Sequence, residues 1–118
     1  MNRIWTGALA LLMAGAAEAS GMIVLDTQQQ NGQRLLQPAW LAEDGQPVRY
    51  AITLQQEHGG NRNQSSQSGS LPAPTVGEKN TLSRLSVTDA GQIDLVVRVS
   101  DQSNQTLAEQ RFRFPPSE

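Results

Sequence analysis

Side chains that commonly carry catalysis or metal binding are scarce in this sequence. The chain has no cysteine and a single histidine, His58, so thiolate nucleophiles, disulfides and cysteine-ligated metals are excluded. His58 stands beside Gly59-Gly60 in a polar stretch, where the sequence places no Asp or Ser to form a relay with it. We therefore interpret His58 as a solvated side chain and not as a catalytic base.

The acidic residues are dispersed and mostly occupy turn positions. Asp89 and Asp101 begin turns, Glu43-Asp44 lies within one, and Asp94 is isolated on a strand. No calcium loop occurs, zinc lacks ligands, and the glycines do not join a strand to a helix as in a phosphate loop. Two carboxylates on neighbouring strands could lie close enough to act as the acid and base of a glycosidase, but the spacing of the acidic residues in the sequence does not predict such a pair. We expect no enzymatic activity, no metal and no cofactor.

Size and charge limit the class of partner. The chain has 118 residues, nine Lys+Arg against eleven Asp+Glu, a formal charge of −2 and a pI near 5.3. Without a basic excess, nucleic acid is not an expected partner. Fourteen glutamines and one lysine indicate a surface of neutral amides more than of charges. The length suits one domain.

Residues 1–19 have the pattern of a secretory signal peptide. A positive start, Met1-Asn2-Arg3, precedes an apolar run over residues 4–14, and Ala17-Glu18-Ala19 offers small residues for cleavage. The apolar run is about half of the ~20 residues that cross a bilayer, so we expect cleavage and no membrane insertion afterwards. A lipid anchor would need a cysteine. The predicted mature domain spans residues 20–118.

From Ser20 onward, apolar residues alternate with polar ones between frequent turn signals. This pattern predicts an all-β fold, an immunoglobulin-like antiparallel β-sandwich of six to seven strands, with a small barrel as the alternative. Trp40 is expected in the core. The predicted strands cover residues 22–28, 35–42, 48–56, 81–87, 92–100 and 106–114.

Three segments of the predicted sandwich are irregular. Pro38 suggests an edge strand or a bulge, and the opposite parity of Leu107 and Phe112 predicts a bulge near Glu109 if both are buried. Residues 58–70 contain no apolar side chain, so we expect a long solvated loop there.

Four segments occur in an order and spacing similar to those of a known family. Together with the short signal peptide, they resemble the CsgC family of curli assembly proteins of Gram-negative bacteria, along nearly all of residues 20–118. No segment is specific alone, and their co-linearity carries the resemblance. The segments are Asp26-Thr27-Gln28-Gln29, Leu82-Ser83-Arg84-Leu85-Ser86-Val87, Ile93-Asp94-Leu95-Val96-Val97-Arg98-Val99-Ser100-Asp101 and Phe114-Pro115-Pro116-Ser117-Glu118.

The resemblance implies a function that the strand pattern does not. Members of the family are periplasmic immunoglobulin-like sandwiches that keep the amyloid-forming curli subunit from polymerising before secretion. It therefore implies a periplasmic, chaperone-like inhibitor whose partner is that subunit. We expect the mature protein to be a monomer. Well-known members carry a Cys-x-Cys pair where this chain has Gln46-Pro47-Val48. A thiol–disulfide activity cannot extend to a chain without sulfur at these positions, whereas inhibition by surface contact can.

An arginine-rich sheet face is the predicted partner-binding surface. In an immunoglobulin-type order, the strands that begin at Val48, Gln92 and Thr106 share one sheet. Arginine is always charged and presents five donors, so it can bind amides or carboxylates of an unfolded client without adding an apolar patch. Asp94 and Glu109 could neutralise part of this face. The four predicted partner-binding residues are Arg49, Arg98, Arg111 and Arg113.

Other interpretations of the sequence remain open. The arginines could instead belong to a solvated face that discourages edge-to-edge pairing. The protein could be a structural or adhesin subunit of an extracellular fibre, although the Pro-Pro after Phe114 does not suit a donor strand. A small hydrolase or sugar-binding domain lacks candidate residues.

Overall fold

The computed structural model describes residues 20–115 as eight strands without a helix. The predicted signal peptide, residues 1–19, and the final residues 116–118 lie outside the described part. The strands are β1 (Gly21–Gln30), β2 (Gln33–Ala42), β3 (Val48–His58), β4 (Asn61–Leu71), β5 (Lys79–Thr81), β6 (Leu85–Thr88), β7 (Gln92–Ser100) and β8 (Thr106–Phe114).

The strands form two antiparallel sheets. In sheet 1, β2 is central, with β1 on one side and β5 and β6, one after the other, on the opposite side. In sheet 2 the order is β4-β3-β7-β8. This is the A-B-E and C′-C-F-G arrangement of immunoglobulin-like domains. The predicted fold class is confirmed, with eight strands instead of six to seven. The strands that begin at Val48, Gln92 and Thr106 share sheet 2, as predicted.

The core lies between the inner faces of the two sheets. β7 supplies its most regular part, because Ile93, Leu95, Val97 and Val99 lie at alternate positions and are all fully buried, whereas the residues between them are not. Trp40 on the central strand β2 is also fully buried, which confirms its predicted place in the core. Since the sheets have no disulfide to link them, this apolar layer holds them together.

The prediction of a loop over residues 58–70 is wrong. β3 continues to His58, Gly59-Gly60 turns the chain, and β4 then pairs with β3 residue by residue from Asn61 to Leu71. Both glycines have positive φ, 59° and 86°, as a two-residue type I′ turn requires. Backbone pairing with β3 holds β4 in place. Residues 61–68 are all exposed, so burial of side chains contributes little to the stability of this strand.

The predicted edge or bulge at Pro38 is also wrong. Pro38 is buried in the central strand β2 and pairs in register with Leu25 of β1. Its carbonyl accepts a hydrogen bond from the N–H of Leu82 (2.9 Å), so its backbone faces the β5–β6 side of the sheet. On that side the ladder is interrupted between Leu36 and Ala39. The proline nitrogen, which has no hydrogen to donate, therefore faces the gap in pairing between β5 and β6. No hydrogen bond between strands is lost.

Two irregularities reset the alternation so that more apolar residues reach the core. The predicted strand over residues 81–87 is divided into β5 and β6, and both Leu82 and Leu85 are buried despite their opposite parity. In β8 the bulge lies at Leu107, because Ala108 pairs with Val99 and Thr106 with Ser100. The bulge therefore lies two residues before the position near Glu109 that the sequence predicts.

Asp101 fixes the turn between β7 and β8 and makes it pH-sensitive. Its Oδ1 accepts hydrogen bonds from the backbone N–H of Gln105 (2.9 Å) and from the N–H and hydroxyl of Ser103 (2.9 and 3.1 Å). The Gln105 bond, followed by those from Ser103, lowers the pKa of Asp101 against an opposing desolvation effect. The ionised carboxylate therefore stabilises the fold above its unfolded pKa of about 3.9, and this contribution is lost as the pH falls through the lowered folded value.

We expect Asp101→Asn to remove this pH dependence. Between about pH 5 and pH 2, the free energy of unfolding of the variant should fall less steeply than that of the wild type. Urea unfolding at several pH values measures the difference, and an NMR titration of the Asp101 carboxyl gives its pKa directly. A carboxyl that titrates at or above its ordinary value would contradict the prediction. Asp44→Asn, in the exposed turn before β3, is the matched control.

Candidate partner-binding face

The four predicted arginines lie on one exposed face of sheet 2. Residues directly opposite each other on antiparallel strands point to the same side of the sheet. Arg49 is opposite Ser100, Ala51 is opposite Arg98, and Val96 and Asp94 are opposite Arg111 and Arg113, respectively. All four arginines are exposed. We call this solvent-facing side the outer face, and it is formed by alternate residues of β4, β3, β7 and β8.

Charge is unevenly distributed between the outer face and the rest of the domain. The register places five arginines and three carboxylates on the outer face, a net charge of +2. The remaining charged residues within residues 20–115 are three basic and six acidic. The outer face is therefore positive on a protein whose formal charge is negative. Such a separation attracts acidic partners to one side.

The arginines near β8 are partly neutralised, as the sequence suggested. Asp94 Oδ1 lies 3.5 Å from Arg111 Nε and 3.7 Å from Arg113 Nε. This oxygen is buried and has no hydrogen-bond partner among the described residues, so its neighbours are these two guanidinium groups. At the hairpin end of the outer face, Arg62 pairs with Glu57 at 3.4 Å. Arg62, Arg111 and Arg113 thus already have counter-ions.

Arg49 and Arg98 have no such counter-ion. In the part of the chain that the structure describes, no carboxylate lies within 4 Å of either guanidinium, although Glu109 is opposite Arg98 in the ladder. The two arginines line an open hollow of about 490 Å³ over β3, β4 and the end of β7. Hydroxyl and amide groups from Ser68, Ser70 and Asn104 surround them there. The hollow therefore offers unpaired charged donors to a carboxylate or an amide.

The sequence interpretation missed the contribution of β4 to this hollow. Ser68, Gly69 and Ser70 of β4 line it. On the inner side of the sheet, Gly69 pairs with Tyr50, and a Cβ added at Gly69 would lie 2.5 Å from the Tyr50 hydroxyl. The tyrosine ring thus occupies the space that a side chain at Gly69 would need. The signal that could have revealed this strand was Gly59-Gly60 directly after the regular strand, a hairpin turn pattern.

The structure also places the single histidine and the acidic side chains of residues 20–115. His58 is exposed at the end of β3, in keeping with a solvated histidine. Within residues 20–115 no group of three or more His, Asp or Glu side chains could hold a metal ion. Because the regular elements of residues 20–115 are all strands, this part of the chain includes no helical segment that could span a membrane.

Comparison with known proteins identifies the fold. The E. coli curli protein CsgC superposes with a TM-score of 0.61 and 24% identity, over 82% of this chain and all of CsgC. This chain has the CsgC fold. R. palustris CsgH has a TM-score of 0.60 and 13% identity, over 78% of this chain and 88% of its own. No family model and no curated protein matches the sequence.

The resemblance to CsgC that the sequence indicated is confirmed at the level of the fold. Gln46 and Pro47 lead into β3, which begins at the buried Val48. These residues therefore stand at the start of the third strand, where the resemblance implied a Cys-x-Cys pair. Because the chain contains no cysteine, this CsgC-like domain cannot support thiol–disulfide exchange at that position.

Proposed function

We propose that this protein is a periplasmic curli assembly factor that delays premature amyloid polymerisation of the curli subunit by transient contact. The observation that carries the proposal is the unpaired Arg49 and Arg98 on the outer face of a CsgC fold. The predicted signal peptide supports export, and the similarity to the curli protein CsgC and to CsgH supports the curli pathway.

The chemistry of the outer face suits brief contacts with an unfolded client. Guanidinium groups bind carboxylates and amide oxygens through several donors at once. The apolar side chains on this face are small and isolated, with Ala51 and Val96 as examples, so the face gives an aggregating chain no extended apolar surface. Exposed charge pairs contribute about 1 kcal/mol or less each. Binding is therefore weak and reversible, while the positive field raises the encounter rate.

Transient binding of this kind predicts inhibition at low stoichiometry. Nuclei and growing ends are rare compared with free subunits, so a protein that binds them delays polymerisation when far fewer copies than subunits are present. Equimolar sequestration would instead require tight binding, which a few exposed arginines do not supply.

We expect the double variant Arg49→Ser/Arg98→Ser to lose most of the delay. A thioflavin time course with purified curli subunit measures the lag, in about 20 and about 300 mM salt, over which the Debye length falls from roughly 20 to roughly 6 Å. The wild-type delay should shorten at high salt, and the double variant should show little delay at either. Surface substitutions of this kind usually cost less than ~0.5 kcal/mol each, so the fold should persist.

Lys79→Ser/Arg84→Ser is the matched control for the loss of two charges. Both residues are exposed and lie outside sheet 2. This control should retain the wild-type delay. If the Arg49/Arg98 variant inhibits as well as the wild type, the outer face is not the contact surface. If the wild type itself gives no delay, the proposed function is wrong.

A further inference from the structure

β4 is an unusually unprotected sheet edge. Natural proteins guard edge strands by keeping them short or by adding charges, prolines or bulges. β5 and β6 are three and four residues long, β1 carries Asp26, which pairs with Lys79, and β8 carries Glu109, Arg111 and Arg113. By contrast, β4 pairs with β3 over eleven residues without a register shift. From Asn63 to Leu71 it contains no charge and no proline.

The turn determines which backbone groups of β4 face outward. The residues that flank a two-residue hairpin turn form a hydrogen-bonded pair, here His58 and Asn61. Pairs then alternate along the ladder, so every second residue of β4 directs its N–H and C=O away from β3. The outward-directed residues are Arg62, Gln64, Ser66, Ser68 and Ser70.

A cleft beside this edge provides an apolar contact. The inner side of β4 is separated from β6 by a cleft of about 290 Å³. Leu54, Leu85 and Val87 contribute its apolar lining, and Asn63 and Ser65 border it. A strand added to β4 would direct alternate side chains towards this cleft and the others towards the outer face.

We propose that β4 accepts an extended segment of the amyloid-forming client as an additional antiparallel or parallel strand. This inference rests on the proposed function and names the edge that would bind the client. The segment alternates apolar residues, which enter the cleft, with amide or acidic residues, which face the amide and hydroxyl groups of β4 and the unpaired Arg49. Main-chain hydrogen bonds supply the affinity and the cleft supplies selectivity, as in other complexes formed by strand addition.

A second copy of this chain does not fit the same edge. Residues 61–70 of β4 contain no apolar side chain, so β4 of another molecule could not fill the cleft. Pairing of two β4 strands would bury only hydroxyl and amide groups. The geometry therefore favours a segment with alternating polarity.

Hydrogen exchange at the outward amides of β4 tests the proposal directly. These N–H groups lack a partner in the free protein and should exchange fast. In the presence of excess sonicated curli fibrils, which supply many ends for the protein to bind, exchange at Gln64, Ser66 and Ser68 should slow by at least about twofold. The variant Ser66→Pro removes one outward N–H and obstructs the edge without breaking a bond to β3. It should lose this protection and the delay of polymerisation, whereas Ser66→Ala should retain both.

The outcomes separate failure of this inference from failure of the proposed function. If Ser66→Pro remains folded and inhibits as the wild type does, while Arg49→Ser/Arg98→Ser does not inhibit, the edge is not used and the proposed function stands. If the outward amides become protected at high protein concentration without the client, a second copy is the occupant and the inference is wrong. If the wild type neither delays polymerisation nor gains protection, both the inference and the proposed function fail.

A synthetic eight-residue peptide that alternates Gln and Val should also protect the outward amides of β4. Failure of the peptide to protect them would contradict the inference independently of amyloid growth.

Discussion

Trp40→Ala is expected to destabilise the domain by about 3–5 kcal/mol. Trp40 is fully buried on the central strand of sheet 1, and its ring lies within 2.9 Å of the position that a Cβ on Gly21 would occupy. Its removal leaves a cavity that the two sheets cannot close without moving β1. Since a domain has only about 5–15 kcal/mol of stability, the variant should lose much of its resistance to urea.

Urea unfolding followed by far-ultraviolet circular dichroism measures this loss. Val76→Ala is the matched control, because Val76 is 54% exposed and its truncation should change the free energy of unfolding by less than about 0.5 kcal/mol. A loss below about 1 kcal/mol for Trp40→Ala would mean that the core closes around the missing ring. That result would contradict the central role of this side chain.

The sequence predicted those parts of the fold in which side-chain burial determines the strand. Ile93, Leu95, Val97 and Val99 form a strict alternation, and a period of two leaves only one arrangement that buries all four. The same rule placed Arg49 and Arg98 on the outer face, because a residue beside a buried neighbour on a regular strand must point to solvent. The fold class therefore followed from this alternation and the turn signals, and the candidate face followed from parity together with an immunoglobulin-type strand order.

Features that depend on the backbone were not predicted. β4 buries almost no apolar surface and is held by its ladder to β3, so its composition is typical of a solvated loop. Pro38 is tolerated in a central strand only because β5 and β6 are separate strands, and that separation has no signature in residue types. The register also decides which arginines are free, since it brings Asp94 close to Arg111 and Arg113 but not to Arg49. These are long-range properties of the pairing, and a sequence pattern over a few residues does not contain them.

The second large effect is expected at Gly91, which allows two strands of sheet 2 to approach closely. Gly91 has a φ of 66°, and a Cβ there would lie 2.1 Å from the backbone carbonyl oxygen of Glu57 and 2.8 Å from the Cβ of His58. The neighbouring Gln56 side chain donates hydrogen bonds to the carbonyls of Thr88 (2.6 Å) and Ala90 (3.0 Å). This contact therefore anchors the hairpin end of β3, from which β4 departs.

Gly91→Ala should destabilise the domain by about 2–5 kcal/mol, since a left-handed conformation costs an alanine about 1–2 kcal/mol and overpacking adds about 1–3 kcal/mol. Gly77→Ala separates the two effects, because Gly77 also has a positive φ (80°) but a Cβ there would meet no atom within 4 Å. The control should lose only the conformational part. Urea unfolding of both variants gives the difference, and hydrogen exchange at the β3 amides reports whether the hairpin end has loosened. Equal losses for the two variants would show that the close approach to Glu57 relaxes freely, and the hairpin that carries β4 would then not depend on this contact.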